Sequence, residues 1–477
     1  MRAFLLMGIL LTAQAAAQDT NRPNILLAIA DDWGWPHAGA LGDTVVRTPT
    51  FDRLAAGGIL FENAFVSSPS CTPSRAALLT GRYHWGLEES ANLWSTLQLK
   101  FRTYPEWLEA AGYHVGSWRK AWGPGRIEPG GRSVNPGGRR YKNLGTFLDA
   151  KKSAQPFCFW LGTSDPHRPY EAGTGQEAGY DVDAIEVPEF YPDAREIRSD
   201  IADYYFEVER FDRDVGQALE ELERRGLLEN TIVIMTSDHG MPFPRCKSNL
   251  YDWGTRVPLV VKWGSRLKSG RRDALVSLVD IAPTILEAAS LEVPREMSGH
   301  SLMPLLKSDA APWRDFVLFG KERHTPCQSP PSWAGYPCRA IRTKDHLYIE
   351  NLFPGLWPAG VPEEGGSTRG PGLSDCDGGP TKSYLVAHRE DAPRYWDLSF
   401  AKRPAEELYV VAEDRDQVRN RADAPELQSI KSALARRLGE ELRRTGDPRA
   451  LGEDAHFEDT PYYGGTKADK RAWDGVK

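Results

Sequence analysis

One short segment of the chain concentrates residues suited to anion-binding or nucleophilic chemistry. Residues 69–81 read PSCTPSRAALLTG, so that Cys71 is followed by Pro73 and Arg75. Proline is favoured in the first turn of a helix, which predicts a helix that begins near Cys71. Backbone N–H groups and the helix dipole make such a helix start an anion-binding site. The segment therefore predicts a reactive cysteine beside an anion site, and the alternative is a buried structural cysteine.

Two pairs of metal-binding side chains follow short apolar runs. Asp31 and Asp32 come directly after Asn24–Ala30, whose length and Ile/Leu content predict a buried strand. Asp238 and His239 come shortly after a second run of the same kind. Adjacent carboxylates repel one another unless a cation lies between them, and hard divalent metals prefer oxygen ligands. The four residues predict a metal site, whereas the two adjacent carboxylates alone would also fit a solvated turn.

A histidine occupies a similar place after another apolar run. Phe157–Gly162 predicts a third buried strand, and it leads into Asp165, Pro166 and His167. Strands that alternate with helices favour an α/β fold with a largely parallel sheet, in which ligands bind beyond the carboxyl ends of the strands. Histidine is a good general acid near neutral pH. We therefore group His167 with the predicted metal site, although a lone histidine is more often structural.

The segment around Cys71 resembles a known signature. Cys71-x-Pro73-Ser74-Arg75, followed by the residues LLTG, is similar to the signature of the sulfatase family, in which the cysteine is oxidised to formylglycine. The resemblance extends from about residue 23 to the predicted C-terminal helix. In that chemistry the aldehyde hydrates to a gem-diol, one hydroxyl attacks sulfur, and the other expels sulfate by re-forming the aldehyde. An ordinary serine or cysteine nucleophile has no such internal release step.

The resemblance implies a role for each candidate residue. Calcium would be bound by the strand ends and by position 71, namely by Asp31, Asp32, Cys71, Asp238 and His239. The catalytic set would comprise the nucleophile, three cations that offset charge on the transferring group, and a proton donor for the leaving group, namely Cys71, Arg75, Lys120, Lys247 and His167. Asp238 would also take a proton from the gem-diol. The implied cofactors are Ca²⁺ and formylglycine, and maturation would require a formylglycine-generating enzyme.

Lys120 lies in a segment that departs from the family pattern. Residues 112–116, GYHVG, resemble the approach to a second sulfatase signature, which usually continues as Gly-Lys followed closely by His. Here the sequence reads RKAWG at residues 119–123, so that Lys120 is retained and Trp122 is a candidate wall of the substrate site. His239 similarly stands where many members of the family carry asparagine.

Two further segments resemble the heparan N-sulfatase branch of the family. They are DPHR at residues 165–168 and DHGMPFP at residues 238–244, which is followed by Lys247 where that branch has arginine. Lysine keeps the charge but cannot form the bidentate fork of arginine. The resemblance implies hydrolysis of N-sulfoglucosamine in heparan-type glycans, with Arg168 and His324 as substrate contacts beside Trp122.

Other functions remain open at this point. A 6-O- or 2-O-sulfated sugar is the alternative substrate. A phosphatase or phosphonate hydrolase on the same fold is disfavoured by the cysteine motif, and an inactive glycan-binding homologue would account for the missing histidine. Seven basic residues and one acid between Arg119 and Lys142 either attract a sulfated glycan or form a solvated loop.

The fold that the resemblance implies is alkaline-phosphatase-like, with a large mixed sheet between helices and a smaller C-terminal α+β domain. The predicted division is a signal peptide at 1–17, a catalytic α/β domain at 23–312, a C-terminal α+β subdomain at 313–445 and a polar tail at 446–477. Periodic apolar residues predict a helix at 201–225. The C-terminal pattern predicts antiparallel strands at 316–319 and 340–350, a strand at 394–398 and a helix at 424–444.

The N-terminus and the composition bear on location and partners. Arg2, a short apolar stretch and the small residues at 15–17 predict a cleaved signal peptide, hence a secreted or periplasmic protein. No stretch is long enough to span a bilayer. The net charge of -7 disfavours nucleic acid, so the expected partner is a sulfated glycan that is bound locally. Six cysteines are too few for a disulfide scaffold, although Cys327 and Cys338 are close enough in sequence to pair.

Overall fold

A seven-stranded mixed sheet forms the core of the first part of the chain. The computed structural model describes residues 22–328, 334–362 and 372–464. The strands are β1 (Asn24–Ala30), β2 (Ile59–Phe65), β3 (His114–Arg119), β4 (Phe157–Gly162), β5 (Thr231–Ser237), β6 (Arg256–Trp263) and β7 (Gly270–Ser277). Their order across the sheet is β3-β4-β1-β5-β6-β2-β7. Strand β6 is antiparallel to its two neighbours, and the other pairs are parallel. The predicted large mixed sheet is confirmed.

Strand β1 lies in the interior of this sheet, beside the central strand β5, and ends at the candidate site. All seven of its residues are buried, with Leu26 and Ala28 in one core and Ile25 and Ile29 in the other, as the two-residue repeat of a strand requires. It pairs in parallel with β4 on one side and β5 on the other. Because these three strands end at the same edge, the polar residues that follow them are brought together.

Helices cover both faces of the sheet. They are α1 (Pro49–Gly57), α2 (Cys71–Thr80), α3 (Tyr104–Ala110), α4 (Leu144–Ala150), α5 (Thr174–Glu177), α6 (Arg195–Arg224), α7 (Asp252–Thr255), α8 (Ile281–Ala288) and α9 (Met303–Lys307). The longest is α6, with 30 residues. Its Asp212 carboxylate accepts from the backbone N–H groups of Thr50 and Phe51, each at 2.8 Å, and so satisfies the open donors at the start of α1.

A smaller antiparallel sheet forms the C-terminal part. Its strands are β8 (Phe316–Lys321), β9 (Cys338–Thr343), β10 (His346–Asn351) and β11 (Glu406–Val410), accompanied by α10 (Pro380–Ala387), α11 (Pro393–Phe400), α12 (Gln428–Arg444) and α13 (Pro448–Leu451). Leu434 and Leu438 of α12 share a hydrophobic cluster with Ile341 on one face of this sheet. On the other face Phe319 stacks on Phe65 of β2, with ring centroids 5.8 Å apart. The small sheet therefore packs directly against β2 of the large sheet.

The predicted strand at residues 394–398 is wrong, because that stretch lies within α11. Pro393 occupies the first turn, where proline is favoured in helices. Trp396 and Phe400 are four positions apart on one buried face, with ring centroids 4.9 Å apart. A helical spacing of aromatic residues thus prevails over their strand-forming tendency. The helix predicted at 201–225 begins earlier, at Arg195, because Ile197 extends its buried face.

The segment after α12 is not the polar tail that the sequence predicted from residue 446. Asp447 accepts from Arg339 Nε at 2.7 Å, and Arg339 Nη2 donates to Glu322 Oε1 at 2.5 Å. All three of these side chains are buried. Further along, the Phe457 carbonyl accepts from the Asn92 side chain at 2.7 Å. Residues far away in the sequence hold this segment in place, and no local sequence pattern predicts these contacts.

Several predictions concern residues that the structure does not describe or does not test. The signal peptide at 1–17 and the end of the predicted tail, 465–477, lie outside the described residues. The boundary between 312 and 313 stays a prediction, although the small sheet begins at Phe316. Among the described helices, none has the length and apolar character needed to cross a bilayer. All six cysteines are described and unpaired, so Cys327 and Cys338 form no disulfide.

Replacing Arg339 by methionine tests the buried ion pairs that hold the C-terminal segment. The change leaves the carboxylates of Glu322 and Asp447 buried without this guanidinium, and breaking a buried pair in this way costs about 3–5 kcal/mol. Urea unfolding should show that loss in the free energy of unfolding. Arg436→Met, at an exposed position, should stay within about 0.5 kcal/mol of the wild type. Equal effects for the two variants would contradict the importance of the network.

Candidate active site

Cys71 is the first residue of α2 and lies at the carboxyl edge of the large sheet. Its side chain is almost wholly buried, with 2% exposure. The helix closes its first turn through a hydrogen bond from Ser74 N to Ser70 O at 2.9 Å, and it ends at Gly81, whose φ of 67° suits glycine. All ten residues of α2 are buried. The predicted helix start is confirmed, and a rigid element fixes the cysteine.

Two carboxylates flank the Cys71 sulfur. Asp31 Oδ1 lies 3.6 Å from Cys71 Sγ, and one atom each of Asp31, Cys71 and Asp238 fall within 4.8 Å of one another. Burial raises the pKa of the Cys71 thiol well above its usual value, and the two carboxylates add to this rise against the opposing charge of Lys120. The unmodified side chain is therefore a protonated thiol, which is a weak nucleophile.

His239 faces the same sulfur from the end of β5. Its Nδ1 lies 3.0 Å from the Gly240 carbonyl, which assigns the proton to Nδ1 and a lone pair to Nε2. That Nε2 lies 3.3 Å from Cys71 Sγ and 3.2 Å from Asp32 Oδ1. Asp32 Oδ1 is buried and has no hydrogen-bond partner among the described residues. Two acceptor atoms thus face each other, an arrangement that a bound cation stabilises.

Arg75 and Lys120 neutralise the carboxylates beside Cys71. Arg75 donates from Nε to Asp238 Oδ2 at 2.7 Å and from Nη2 to Asp31 Oδ1 at 3.3 Å. Lys120 Nζ donates to the two oxygens of Asp31 at 2.6 and 2.5 Å. Although burial alone would raise the pKa of Asp31, Lys120 and Arg75 hold it well below its usual value. Arg75 also donates to the Ala121 carbonyl at 2.9 Å, which fixes the guanidinium in place. The fixed guanidinium in turn positions the two carboxylates that it contacts.

Lys247 joins Asp32 to a carboxylate that the sequence did not predict. Its Nζ donates to Asp32 Oδ2 and to Asp377 Oδ2, each at 2.8 Å. Asp377 belongs to the loop before α10, and its side chain is 29% exposed. Burial would raise the pKa of Asp377, but Lys247 holds it below its usual value. The sequence offers only an acid in a glycine-rich stretch, a pattern too common to indicate a site.

His167 lies at the exposed rim of the same cluster, as its position after β4 predicted. Its side chain is 34% exposed, and Nε2 lies 3.9 Å from Asp32 Oδ2. Nδ1 lies 2.6 Å from the Arg168 carbonyl and is therefore the protonated nitrogen of the neutral ring. One atom each of His167, Asp32 and Asp377 fall within 4.8 Å of one another. The Nε2 atom is thus free to exchange a proton with a ligand at the rim.

The three residues predicted as substrate contacts are buried and engaged with protein. Arg168 donates to the Asp200 carboxylate from its two terminal nitrogens at 2.8 and 2.7 Å. His324 Nδ1 lies 2.8 Å from Ser70 Oγ, and burial lowers the pKa of His324 to about 3, so the ring is neutral. Trp122 is 5% exposed and belongs to one of the hydrophobic cores of the sheet. Their geometry fits support of the site better than direct contact with a ligand.

Comparison with known proteins decides the family. The family model described as "Sulfatase" matches residues 23–126 and 139–291. The chain belongs to the sulfatase family. A second model, "N-sulphoglucosamine sulphohydrolase, C-terminal", matches residues 243–349 of this sulfatase, which include Lys247 and strand β8. Membership makes the chain a hydrolase of sulfate esters or sulfamates, as the sequence predicted.

Individual relatives of this sulfatase extend over most of its length. It is 30% identical over 489 residues to human N-sulphoglucosamine sulphohydrolase, covering 91% of this chain and 93% of the relative. It is 27% identical over 450 residues to an ulvan-active sulfatase of Formosa agariphila, covering 90% and 81%. A solved structure in complex with its substrate D-glucosamine-2-N,6-O-disulfate has a TM-score of 0.63 at 19% identity, covering 91% of this chain and all of that one. This likeness in structure confirms the fold.

Calcium should stabilise this sulfatase through the facing acceptors of Asp32 and His239. A ligand that binds only the folded state adds about 2.7 kcal/mol to the free energy of unfolding when its concentration is about a hundred times its Kd. Ca²⁺ should therefore raise the Tm of chelator-treated protein. Asp32→Asn removes a charged ligand and should shrink that rise at the same Ca²⁺ concentration in a thermal-shift assay. Asp391→Asn, at a side chain 82% exposed, is the control and should respond like the wild type. A Tm unaffected by Ca²⁺ in the wild type would refute the metal site.

Proposed function

We propose that this sulfatase removes N-linked sulfate from glucosamine units of heparan-type glycans, with a formylglycine made from Cys71 and a calcium ion. The observation that carries the proposal is the position of Cys71. It stands in the sequence CTPSR at the start of a buried helix, with its sulfur between Asp31 Oδ1 at 3.6 Å and His239 Nε2 at 3.3 Å. Oxidation there would place an aldehyde among carboxylate, imidazole and ammonium groups.

The donor set supports calcium. Three carboxylates and an imidazole with a free lone pair surround position 71, and oxygen-rich sets suit a hard cation. The ion would be held by Asp31, Asp32, Asp238, His239 and the side chain at position 71. Bound calcium would polarise a sulfate oxygen, which would make the sulfur more electrophilic and stabilise negative charge on the sulfate oxygens.

The side chains around position 71 would hold its hydroxyl groups and accept a proton from them. Asp238 is fixed by Arg75 Nε at 2.7 Å and is the proposed proton acceptor. His239 Nε2 faces position 71 as a proposed calcium ligand, so it does not replace the histidine that the family pattern provides close to Lys120. The ammonium of Lys120 and the guanidinium of Arg75 offset the charge of the carboxylates and of an incoming sulfate.

The leaving group would meet the rim formed by His167, Lys247 and Asp377. Protonation of the departing nitrogen requires a donor within hydrogen-bond reach, and the proposed donor is the imidazolium form of His167, whose exposed Nε2 lies at the rim 3.9 Å from Asp32 Oδ2. Lys247 would be the third cation, beside Arg75 and Lys120, that offsets charge on the transferring group. Asp377 would position Lys247 and accept hydrogen bonds from the sugar or from the ammonium group of the product, because its side chain is partly open to solvent.

Similarity to N-sulphoglucosamine sulphohydrolase supports the N-sulfated substrate, and it covers both parts of the chain. The alternative substrate is a 6-O- or 2-O-sulfated sugar, and it stays open because an ulvan-active sulfatase is similar to this chain at 27% identity. Arg168 and His324 would act on the substrate indirectly, through the segments that they anchor. We further propose export from the cell, supported by the sequence of residues 1–17, and maturation of Cys71 by a formylglycine-generating enzyme.

Conversion of Cys71 should be visible as a change in mass. Peptide mass spectrometry of protein from a host with the maturation enzyme should show a loss of about 18 Da at Cys71, as expected when a thiol becomes an aldehyde. The converted protein should release sulfate from N-sulfoglucosamine. The Cys71→Ala variant, which has no thiol to convert, should release none.

Three assays separate the alternatives for the converted protein. Faster release from 6-O- or 2-O-sulfated glucosamine than from N-sulfoglucosamine would favour the O-sulfatase. Faster cleavage of an aryl phosphate than of an aryl sulfate would favour a phosphatase. Binding of sulfated glycan without any sulfate release would point to an inactive glycan-binding homologue.

Asp377→Asn tests the carboxylate that only the structure revealed. The change removes one of the two ionic partners of Lys247, and a small displacement of a catalytic group costs roughly tenfold to a hundredfold in rate. We expect a fall of that size in kcat/KM for N-sulfoglucosamine, with an unchanged Tm response to Ca²⁺. Asp391→Asn serves as the exposed control, and Asp377→Glu should keep part of the activity. Wild-type kinetics in Asp377→Asn would exclude this role.

A further inference from the structure

A second charged pocket lies at the far end of α2 from Cys71. Its volume is about 420 Å³, and its lining includes Arg82, Tyr83, Arg295, Ser298 and Arg444. Ten helical residues span about 15 Å, so this arginine pocket is well separated from the active site. The Ser298 backbone N–H donates to the Gly81 carbonyl at 2.8 Å, which fixes the wall of the arginine pocket to the end of α2.

Protein carboxylates balance the charges in the arginine pocket only in part, and Arg295 and Glu296 at its rim are exposed to solvent. Three arginines and one glutamate, Glu296, line it. Arg444 is paired with Glu441 at 2.6 Å, but Arg82 and Arg295 have no hydrogen bond or ion pair with any residue that the structure describes. Arg82 is half-buried over the Phe101 ring, and burial lowers its pKa although the charges of Glu296 and Glu88 oppose that shift. An anion in the arginine pocket would supply a close counter-ion.

Tyr83 adds a hydrogen-bond donor with no protein acceptor. Its side chain is 4% exposed and stacks on Trp85, with ring centroids 4.5 Å apart. Its hydroxyl makes no hydrogen bond within the described part of the chain. Burial raises the pKa of Tyr83 to about 12, so the hydroxyl keeps its proton at neutral pH. The hydroxyl oxygen retains solvent access in the arginine pocket, so it can donate a hydrogen bond to an acceptor oxygen of a ligand there.

We propose that the arginine pocket binds a sulfated unit of an anionic glycan chain, at a distance from the catalytic centre. Two unpaired guanidinium groups and a tyrosine hydroxyl match the oxygen atoms of a sulfate group. The volume exceeds that of a single oxyanion and lies in the range of pockets that hold whole small molecules. The identity of the polymer rests on the proposed function. Held there, a chain would be present near the active site at high effective concentration.

The test compares chain binding with single-sugar hydrolysis. In a Cys71→Ala background, fluorescence anisotropy with a labelled sulfated heparan-type oligosaccharide should show that Arg82→Gln with Arg295→Gln weakens binding by about tenfold or more. The control removes two exposed cations elsewhere, Arg53→Gln with Lys268→Gln, and should leave the affinity unchanged. In converted enzyme, the pocket variant should retain wild-type kcat and KM for N-sulfoglucosamine.

Competition identifies the ligand. A chemically desulfated chain should compete poorly with the labelled chain, and inorganic sulfate should compete only at much higher concentration than the sulfated chain. Equal affinity of the pocket variant and the control would overturn the proposal. Inorganic sulfate that competes as well as the chain would also overturn it, because the pocket would then be an isolated oxyanion site. If the converted enzyme hydrolyses no sulfated sugar but the pocket variant still loses chain binding, the proposed function fails and the pocket assignment stands.

Discussion

The active site depends on a balance of buried charge at the carboxyl ends of β1 and β5. Three carboxylates meet three cations there, namely Asp31, Asp32, Asp238, Arg75, Lys120 and Lys247. Burying an ion costs several kcal/mol unless it is paired, so none of these groups is stable in this place by itself. The same pairing keeps Asp31 ionised, which suits its proposed role as a ligand for a cation. The proposed catalytic chemistry and the local stability of the fold therefore depend on the same ion pairs.

The surrounding fold supplies each member of this balance from a separate element. The parallel strands deliver carboxylates because their ends coincide, and α2 delivers Arg75 one helical turn after Cys71. Lys247 arrives on an irregular segment that Ser248 fastens to the cysteine segment, through a hydrogen bond to the Pro69 carbonyl at 2.8 Å. Irregular segments can reach into a site from directions that strands and helices do not offer.

The parts of the site that could be predicted from sequence are those with a local signal. The buried run before Asp31 indicates a strand and its bounds, and the proline after Cys71 indicates the start of a helix. The bounds of β1 and the start of α2 were therefore predictable. The role of Arg168 was not predictable, because its partner Asp200 lies on α6, 32 positions away. Asp377 was missed for the same reason, since its contact with Lys247 spans 130 positions. Such contacts are properties of tertiary packing.

The carboxylate at position 377 makes the active site a property of the whole chain. It is placed by the loop between β10 and α10, and the small sheet that contains β10 packs on β2 through Phe319 and Phe65. A shortened chain that ended after the large sheet would keep the cysteine segment and the proposed metal ligands but lose the outer partner of Lys247. A proteolytic cut between the two sheets would threaten the same contact without touching the nucleophile. Activity after limited proteolysis would then report whether the two sheets remain docked.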